Sequence, residues 1–370
     1  MADAPDRPIL IAGAGIGGLT AAIALARAGF PVALIEQATR FAEIGAGLQL
    51  SPNASRILID LGLGAALARR ATSPDALIVH RLDGQRELAR MPMSGARDAF
   101  GAPYWATLRA DLQTALIDAA RADRSVSFLV GRKVERVNAS GAGVSIEVRT
   151  AAGASETIEG RALIGADGLW SRVREFVAPK AETRFASYEA WRALIPADAT
   201  PEAARRPTTH LWIGAEAHLV HYPVAGGRMI NLVLVRPAEK PRDETRREEW
   251  GDDGDRAALD NLARLMGAPA RDLIAAAPHW QVWSLYDRPP LPLWTRGSVA
   301  LMGDAAHPVL PFLAQGAALA IEDAAVLAQE AARLPDNLPR AFARYASRRM
   351  DRAARVQKAS RAARSMRRDA

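Results

Sequence analysis

Three stretches near the start of the chain are apolar and are separated by residues that break regular structure. Pro8–Ala12 is a short apolar run, Gly17–Ala28 is apolar and alanine-rich, and Val32–Glu36 is apolar again. The pattern predicts a strand, a glycine turn, a helix and a second strand, and that crossover implies a parallel sheet. Farther on, Asn53–Asp60 and Arg109–Ala122 read as helices, and Leu77–Leu82 as a strand followed by the turn signal Asp83-Gly84. Val126–Val130, Val134–Val137, Val144–Val148 and Thr157–Ile158 read as short strands, with turns at Ser140–Gly143 and Ala151–Gly153.

From about Arg184 the texture changes. Tyr188–Ile195, His210–Ile213, Ala217–Tyr222 and Met229–Val235 are strand-like runs in a stretch rich in Trp and Tyr, and they predict a mostly antiparallel sheet. Glu239–Asp255 is charged and poor in apolar residues, which predicts a surface loop with helical ends. Ser298–Met302 reads as one more buried strand and Ala314–Ala332 as a long apolar helix. Leu338, Phe342, Ala346, Met350 and Ala353 then recur at spacings of four and three, a helical stripe.

Composition narrows the picture. A chain of 370 residues has room for two domains. It has no cysteine, which excludes disulfides, cysteine–metal sites and thiol nucleophiles and suits a cytoplasmic protein; no metal site is expected. Ile9–Ala26 is uncharged and long enough for a membrane helix. It contains Gly13, Gly15, Gly17 and Gly18, however, and the flank Asp3, Pro5, Asp6 and Pro8 is no signal-peptide start, so a strand–turn–helix explains it better. The net charge of +7 is concentrated at one end. From Arg340 onward there are eleven Lys/Arg and two acids, against 37 bases and 39 acids in the remainder. Such a tail can bind nucleic acid, but the helical stripe favours a docked helix with a solvated basic face.

Gly13-Ala-Gly15-Ile-Gly17-Gly18 fits G-x-G-x-x-G, with Gly13, Gly15 and Gly18 in the three glycine roles. The helix that follows offers free N–H groups and a positive dipole end to a diphosphate. Glu36 ends the next strand 18 residues beyond Gly18, where a carboxylate accepts both hydroxyls of an adenosine ribose. On this evidence the site holds NAD or FAD. Two further segments bear on the choice: Gly165-Ala-Asp167-Gly168-Leu-Trp170-Ser171-Arg172 and Leu301-Met-Gly303-Asp304-Ala-Ala-His307-Pro308, the latter followed by Gln315-Gly316-Ala317. Each places an aspartate at the carboxyl end of a strand, where ligands of open α/β sheets bind.

With these three segments in order, the chain resembles the class A flavoprotein monooxygenases, the family of para-hydroxybenzoate, salicylate and 3-hydroxybenzoate hydroxylases. The segments are similar to its GxGxxG, DG and GD motifs, and Arg109-Ala-Asp111-Leu112 to its Arg-x-x-Leu flavin contact. Asn53, in Leu50-Ser-Pro-Asn53-Ala, and Tyr188-x-Ala-Trp191-Arg192 also resemble the family, which the chain follows from about Ile9 to Val356.

The resemblance implies an α/β fold: a Rossmann-like FAD-binding domain, a second, mostly antiparallel β-sheet substrate domain, and a C-terminal helix. The division expected is discontinuous. Residues 1–75, 101–183 and 285–333 would bind FAD, 76–100 and 184–284 would bind substrate, and 334–370 would form the basic helical segment. The cofactor implied is non-covalent FAD, with NADH or NADPH as a transient electron donor, because no second G-x-G-x-x-G exists. Arg109 and Asp167 would lie along the diphosphate, Asp304 would hold the ribityl region, and Gly316 and Ala317 would present N–H groups to the flavin's pyrimidine edge. Val134 completes the expected cofactor set.

The activity implied is hydroxylation of a small aromatic acid through a flavin C4a-hydroperoxide formed with O2. Pro308 to Leu313 would form a dry wall beside the flavin. Pro311 in it is counted with His218 and Tyr222 as catalytic. In Ala217-His218-Leu-Val-His221-Tyr222, a strand puts His218, Val220 and Tyr222 on one face and His221 on the other. His218 and Tyr222 would stand about 13 Å apart along the strand and bracket a ring. The pair is similar to one in the family's 3-hydroxybenzoate and 6-hydroxynicotinate members; His218 would take the phenol proton and Tyr222 hold the carboxylate or a second hydroxyl. The competing readings are an epoxidase or reductase of the same fold, a halogenase whose second signature Trp would be Ala193, and a non-catalytic flavin- or nucleic-acid-binding protein. No membrane partner is expected, nucleic acid is disfavoured, and a homodimer is allowed.

Overall fold

The opening unit forms as the strand Ile9–Ala12, the helix Ile16–Arg27 and the strand Val32–Glu36, with the two strands parallel. This is seen in a computed structural model that describes residues 7–41, 46–84, 86–140, 143–242 and 252–363. Parts of the expected turn at Ser140–Gly143, the loop at Glu239–Asp255, the flank before Pro8 and the end of the basic tail lie outside the described residues. The charge-free run Ile9–Ala26 is divided by the glycine turn, and among the described residues no helix is long and apolar enough to cross a membrane.

Six strands build the first sheet, in the order Thr295–Arg296, Val299–Leu301, Ala162–Gly165, Ile9–Ala12, Val32–Glu36 and Val126–Val130. All neighbours are parallel except the first pair. The central strands are apolar throughout because both of their faces are covered. Gly13, Asp167 and Asp304 follow the carboxyl ends of three adjacent strands, so the three motifs meet at one edge.

A second sheet of eight strands carries the Trp-rich segments. Its central members are Arg184–Pro196, Met229–Pro237 and His218–Val224, paired antiparallel. The strands Ala76–Arg81 and Glu87–Pro92 complete its far edge, the former parallel to Thr208–Ile213. Alternation gives the sheet two distinct faces. Trp191, Leu219, Leu232 and Leu234 pack into a core with the helices Arg256–Ala263 and Ala268–Ala276. Arg192, Val233, His218 and Tyr222 occupy the alternate positions of the same strands.

The C-terminal helix runs from Leu338 to Ala363 and packs on the helix Gly316–Arg333. Leu338, Phe342, Ala346 and Ala353 of the stripe are buried. The basic face, expected to be solvated, is partly neutralised within the molecule. Glu330 accepts Arg333, Arg344 and Arg348 at 2.8, 2.5 and 2.6 Å. Arg349, 4% exposed, pairs with Asp323 and Glu322 at 2.7 and 2.6 Å.

Candidate active site

The glycine turn is shaped by close approach of backbone to backbone. Gly13 has φ +100°, and a Cβ there would lie 2.4 Å from the Ala166 carbonyl oxygen. At Gly18 a Cβ would lie 1.9 Å from the Gly13 carbonyl oxygen, so the helix approaches the strand only because the side chain is missing. Gly15, the N-cap, borders open space instead.

That space is a cleft of about 540 Å³, lined by Gly13, Gly15, Glu36, Arg109, Val134, Asp167 and Asp304 among others. The strand end presents Glu36, whose two oxygens accept the N–H groups of Ala14 and Ala38, each at 2.8 Å. Arg109, Arg132 and Lys133 supply positive charge to the lining. Asp167 accepts the N–H groups of Arg172 and Val173 with one oxygen, at 2.8 and 3.1 Å. Its buried Oδ1 has no partner among the described residues and suits a hydroxyl or amide donor. Burial raises the Asp167 pKa against hydrogen bonds from Ser171 and the backbone. Burial likewise raises Asp304, against His307, Arg109 and Arg288. Free helix N–H groups, a positive lining and an orphaned acceptor fit a dinucleotide. Gly316 and Ala317 open the helix Gly316–Arg333 and are outside the lining of this cleft.

The two aspartate loops are tied together. Arg288 is 1% exposed and donates to Leu169 O at 3.0 Å, to Thr183 Oγ1 at 2.8 Å and to Ala305 O at 3.4 Å. Asp323 accepts the Gly303 N–H at 2.9 Å, and the same oxygen lies 2.5 Å from His307 Nε2. Burial works against the Asp323 carboxylate, yet His307 and Arg349 outweigh it and hold its pKa below the usual value.

The proline-rich segment closes the cleft: Pro308, Val309 and Pro311 line it. Leu310 packs beneath the second sheet with Ala190, Val235 and Leu285. The Phe312 ring centre lies 5.4 Å from that of His218 and 5.7 Å from that of Tyr188. Leu313, expected in the wall, is 38% exposed.

His218 and Tyr222 are 6% and 3% exposed and share one face of their strand, as alternation requires. Tyr222 packs with Ala106 and Val224. Burial pushes its phenol up to about 12, with Arg192 and Gln49 opposing, so it is a neutral donor at ordinary pH. His221 points to the other face, where its Nδ1 accepts the Trp212 indole N–H at 3.2 Å.

Several lining residues are given no role by the sequence, although Arg192 and Trp170 fall in segments that resemble the family. Arg192 lines the cleft with its guanidinium 4.4 Å from the Trp283 ring centre, while Trp191 beside it is fully buried and donates to Glu189 at 2.7 Å. Strand parity distinguishes the two, but only once one face is known to line the cleft. Trp170 and Tyr286 also line the cleft, ring centres 5.0 Å apart.

Known proteins resemble this chain along most of its length. The family described as FAD binding domain matches residues 6–360. The 3-hydroxybenzoate 6-hydroxylase of Polaromonas naphthalenivorans is 38% identical over 367 residues, covering 98% of this chain and 88% of the relative. The 6-hydroxynicotinate 3-monooxygenase of Bordetella bronchiseptica is 35% identical over 361 residues, covering 95% and 90%. The solved structure of Klebsiella pneumoniae HpxO with FAD and uric acid is similar at a TM-score of 0.80 and 27% identity, covering 96% of this chain and 87% of that one. The chain belongs to the FAD-binding family of class A flavoprotein hydroxylases, and its cofactor is FAD.

Proposed function

We propose that this enzyme hydroxylates a small phenolic acid of the 3-hydroxybenzoate type, using NADH or NADPH and O2. The observation that carries the reading is the position of His218 and Tyr222: buried on one sheet face, with His218 against Phe312 of the wall whose Pro308 and Pro311 line the cleft. When bound, FAD would relay electrons from NADH or NADPH to O2 and so supply the activated oxygen. The chain binds, orients and dries the ring.

In this reading Arg109 and the helix N-terminus after Gly15 hold the diphosphate, Glu36 the adenosine ribose, and Asp304 the ribityl chain. Gly316 and Ala317 offer N–H groups to the flavin's pyrimidine edge. His218 accepts the phenolic proton, which raises electron density at the ring carbons ortho and para to that oxygen. Tyr222, a neutral phenol, donates to the substrate carboxylate, and Arg192 supplies a cation within electrostatic reach of Tyr222. Relatives named for 3-hydroxybenzoate and 6-hydroxynicotinate support a ring that carries both an acidic hydroxyl and a carboxylate. The absence of cysteine fits a reducing compartment, and we place the enzyme in the cytosol.

The test is a screen of 3-hydroxybenzoate, salicylate, 6-hydroxynicotinate and 3-amino-4-hydroxybenzoate for stimulated NAD(P)H oxidation, with product identification. One of these acids is expected to stimulate oxidation and to gain one hydroxyl group. Stimulation by none of them, or NAD(P)H oxidation that yields only peroxide with all of them, overturns the reading.

A further inference from the structure

The C-terminal helix sends a series of buried polar side chains to the end of the strand Val299–Leu301 and to the loops that form the cleft. Tyr345 OH donates to Leu301 O at 3.0 Å. Arg349 donates to Asp323 at 2.7 Å, and Asp323 holds Gly303 and His307. About two and three turns farther along, Gln357 Nε2 donates to Pro308 O at 2.9 Å and to Arg288 O at 3.3 Å, and Ser360 Oγ donates to Leu310 O at 2.7 Å. Arg361 pairs with Asp287 at 2.5 Å and also reaches Arg288 O.

Gln357 and Ser360 are only 2% and 1% exposed. A buried amide and a buried hydroxyl are retained at a cost unless they are bonded, and both are bonded to the same segment. That segment needs outside support. Pro308 and Pro311 have no N–H, so the stretch between them cannot build a continuous backbone ladder. Its Pro308 and Leu310 carbonyls are taken by the helix instead, while Pro308, Val309 and Pro311 face the cleft.

We propose that Gln357 and Ser360 are positioning residues of the active site. They set the height of the Pro308–Leu313 wall against the flavin, and so decide how well water is kept from the reacting centre. Neither touches substrate or cofactor; both act through the wall. The inference rests on the hydroxylase reading above only for its coupling readout.

The test compares Gln357→Met, which keeps the volume and removes the donor, and Ser360→Ala with Tyr345→Phe. The last removes an equally buried bond from the same helix, but to the end of a sheet strand. Peroxide formed per NAD(P)H is measured on the FAD-loaded enzyme. Amide hydrogen exchange at Val309, Leu310, Phe312 and Leu313 is measured with and without FAD. Expected are a rise of about threefold or more in the peroxide fraction, since small misplacements at a reacting centre are costly, and faster exchange of the wall amides, in both wall variants. Tyr345→Phe is expected to lower the melting temperature and leave both readouts at the wild-type level. If Gln357→Met does not fold, Ser360→Ala decides alone. Unchanged wall exchange in the folded variants overturns the proposal, as does an equal change in Tyr345→Phe. If the wild type hydroxylates no acid, the functional reading fails, and the exchange data without FAD still decide this one.

Discussion

Glu36 is held by two backbone N–H groups, so its carboxylate is oriented at the strand end without help from a ligand. Each oxygen keeps a second acceptor site for a ribose hydroxyl. Glu36→Arg removes the acceptor and the anchor together, and FAD affinity is expected to fall by about tenfold or more, the worth of one charged hydrogen bond. Flavin fluorescence titration measures it, and an unchanged Kd would place the ribose elsewhere. His218→Ala is expected to leave flavin reduction and oxygen uptake intact while turnover shifts to hydrogen peroxide. General-base help is typically worth about 10²–10⁴-fold, so a product rate and coupling equal to wild type across pH 6–9 would remove His218 from the mechanism. Tyr222 has its pKa raised to about 12, so it remains a hydrogen-bond donor throughout the assay range. Tyr222→Phe is expected to raise KM for the aromatic acid by about tenfold and to leave FAD binding unchanged. A fall in kcat with KM constant would assign the tyrosine to the chemical step instead.

At the scale of elements, the far edge of the second sheet has its own pH dependence. His210 stacks on His221 at 4.6 Å and on His80 at 5.2 Å, and Trp212 stacks on His80 at 4.2 Å. The strand Glu87–Pro92 brings Glu87 and Arg90 to His80. Burial, with His80 and Arg90 adding to it, lowers His210 to about 4. Burial also depresses His221 and His80. A histidine near its usual 6.5 when unfolded and near 4 when folded binds its proton preferentially in the unfolded chain. The stability it contributes is therefore complete above pH 6.5 and is lost as pH falls toward 4. For His210 that loss is about 2–3 kcal/mol after allowance for its partial exposure. About half of that loss falls between pH 7 and pH 5, so stabilities from urea unfolding at the two pH values should differ by about 1–1.5 kcal/mol from this residue, and His210→Phe should flatten the difference. A slope unchanged by the substitution would place its origin elsewhere. The C-terminal helix offers a test of another kind. Phe342 is fully buried in it, and Phe342→Asp is expected to destabilise by about 3–5 kcal/mol or more. A variant that melts at the wild-type temperature would mean that the helix is not docked.

Across the whole molecule, what was legible depended on how far apart the cooperating residues lie in the chain. The glycine turn, Glu36 and the helix Arg109–Ala122 are written in local spacing, and the helix forms with the bounds expected of it. The two aspartates were visible because each follows a short apolar run that becomes a strand of the same sheet. The placement of the C-terminal helix was half legible. Its apolar stripe was plain, but Arg349 looked like one more surface cation, because its partners Glu322 and Asp323 belong to the preceding helix. Gln357 and Ser360 carry no sequence signal at all, since their acceptors are backbone carbonyls about 50 residues away. The pairing of Ala76–Arg81 with Thr208–Ile213 was hidden for the same reason.

These parts together make an oxygen-inserting flavoenzyme. That activity is tested most directly by turnover of the best aromatic acid under heavy-isotope O2, with the product examined by mass spectrometry. One labelled oxygen is expected in each product molecule, carried on the ring as the new hydroxyl. Product that contains only oxygen from water, or reduced flavin that returns all of its electrons to peroxide with every acid tried, would contradict it.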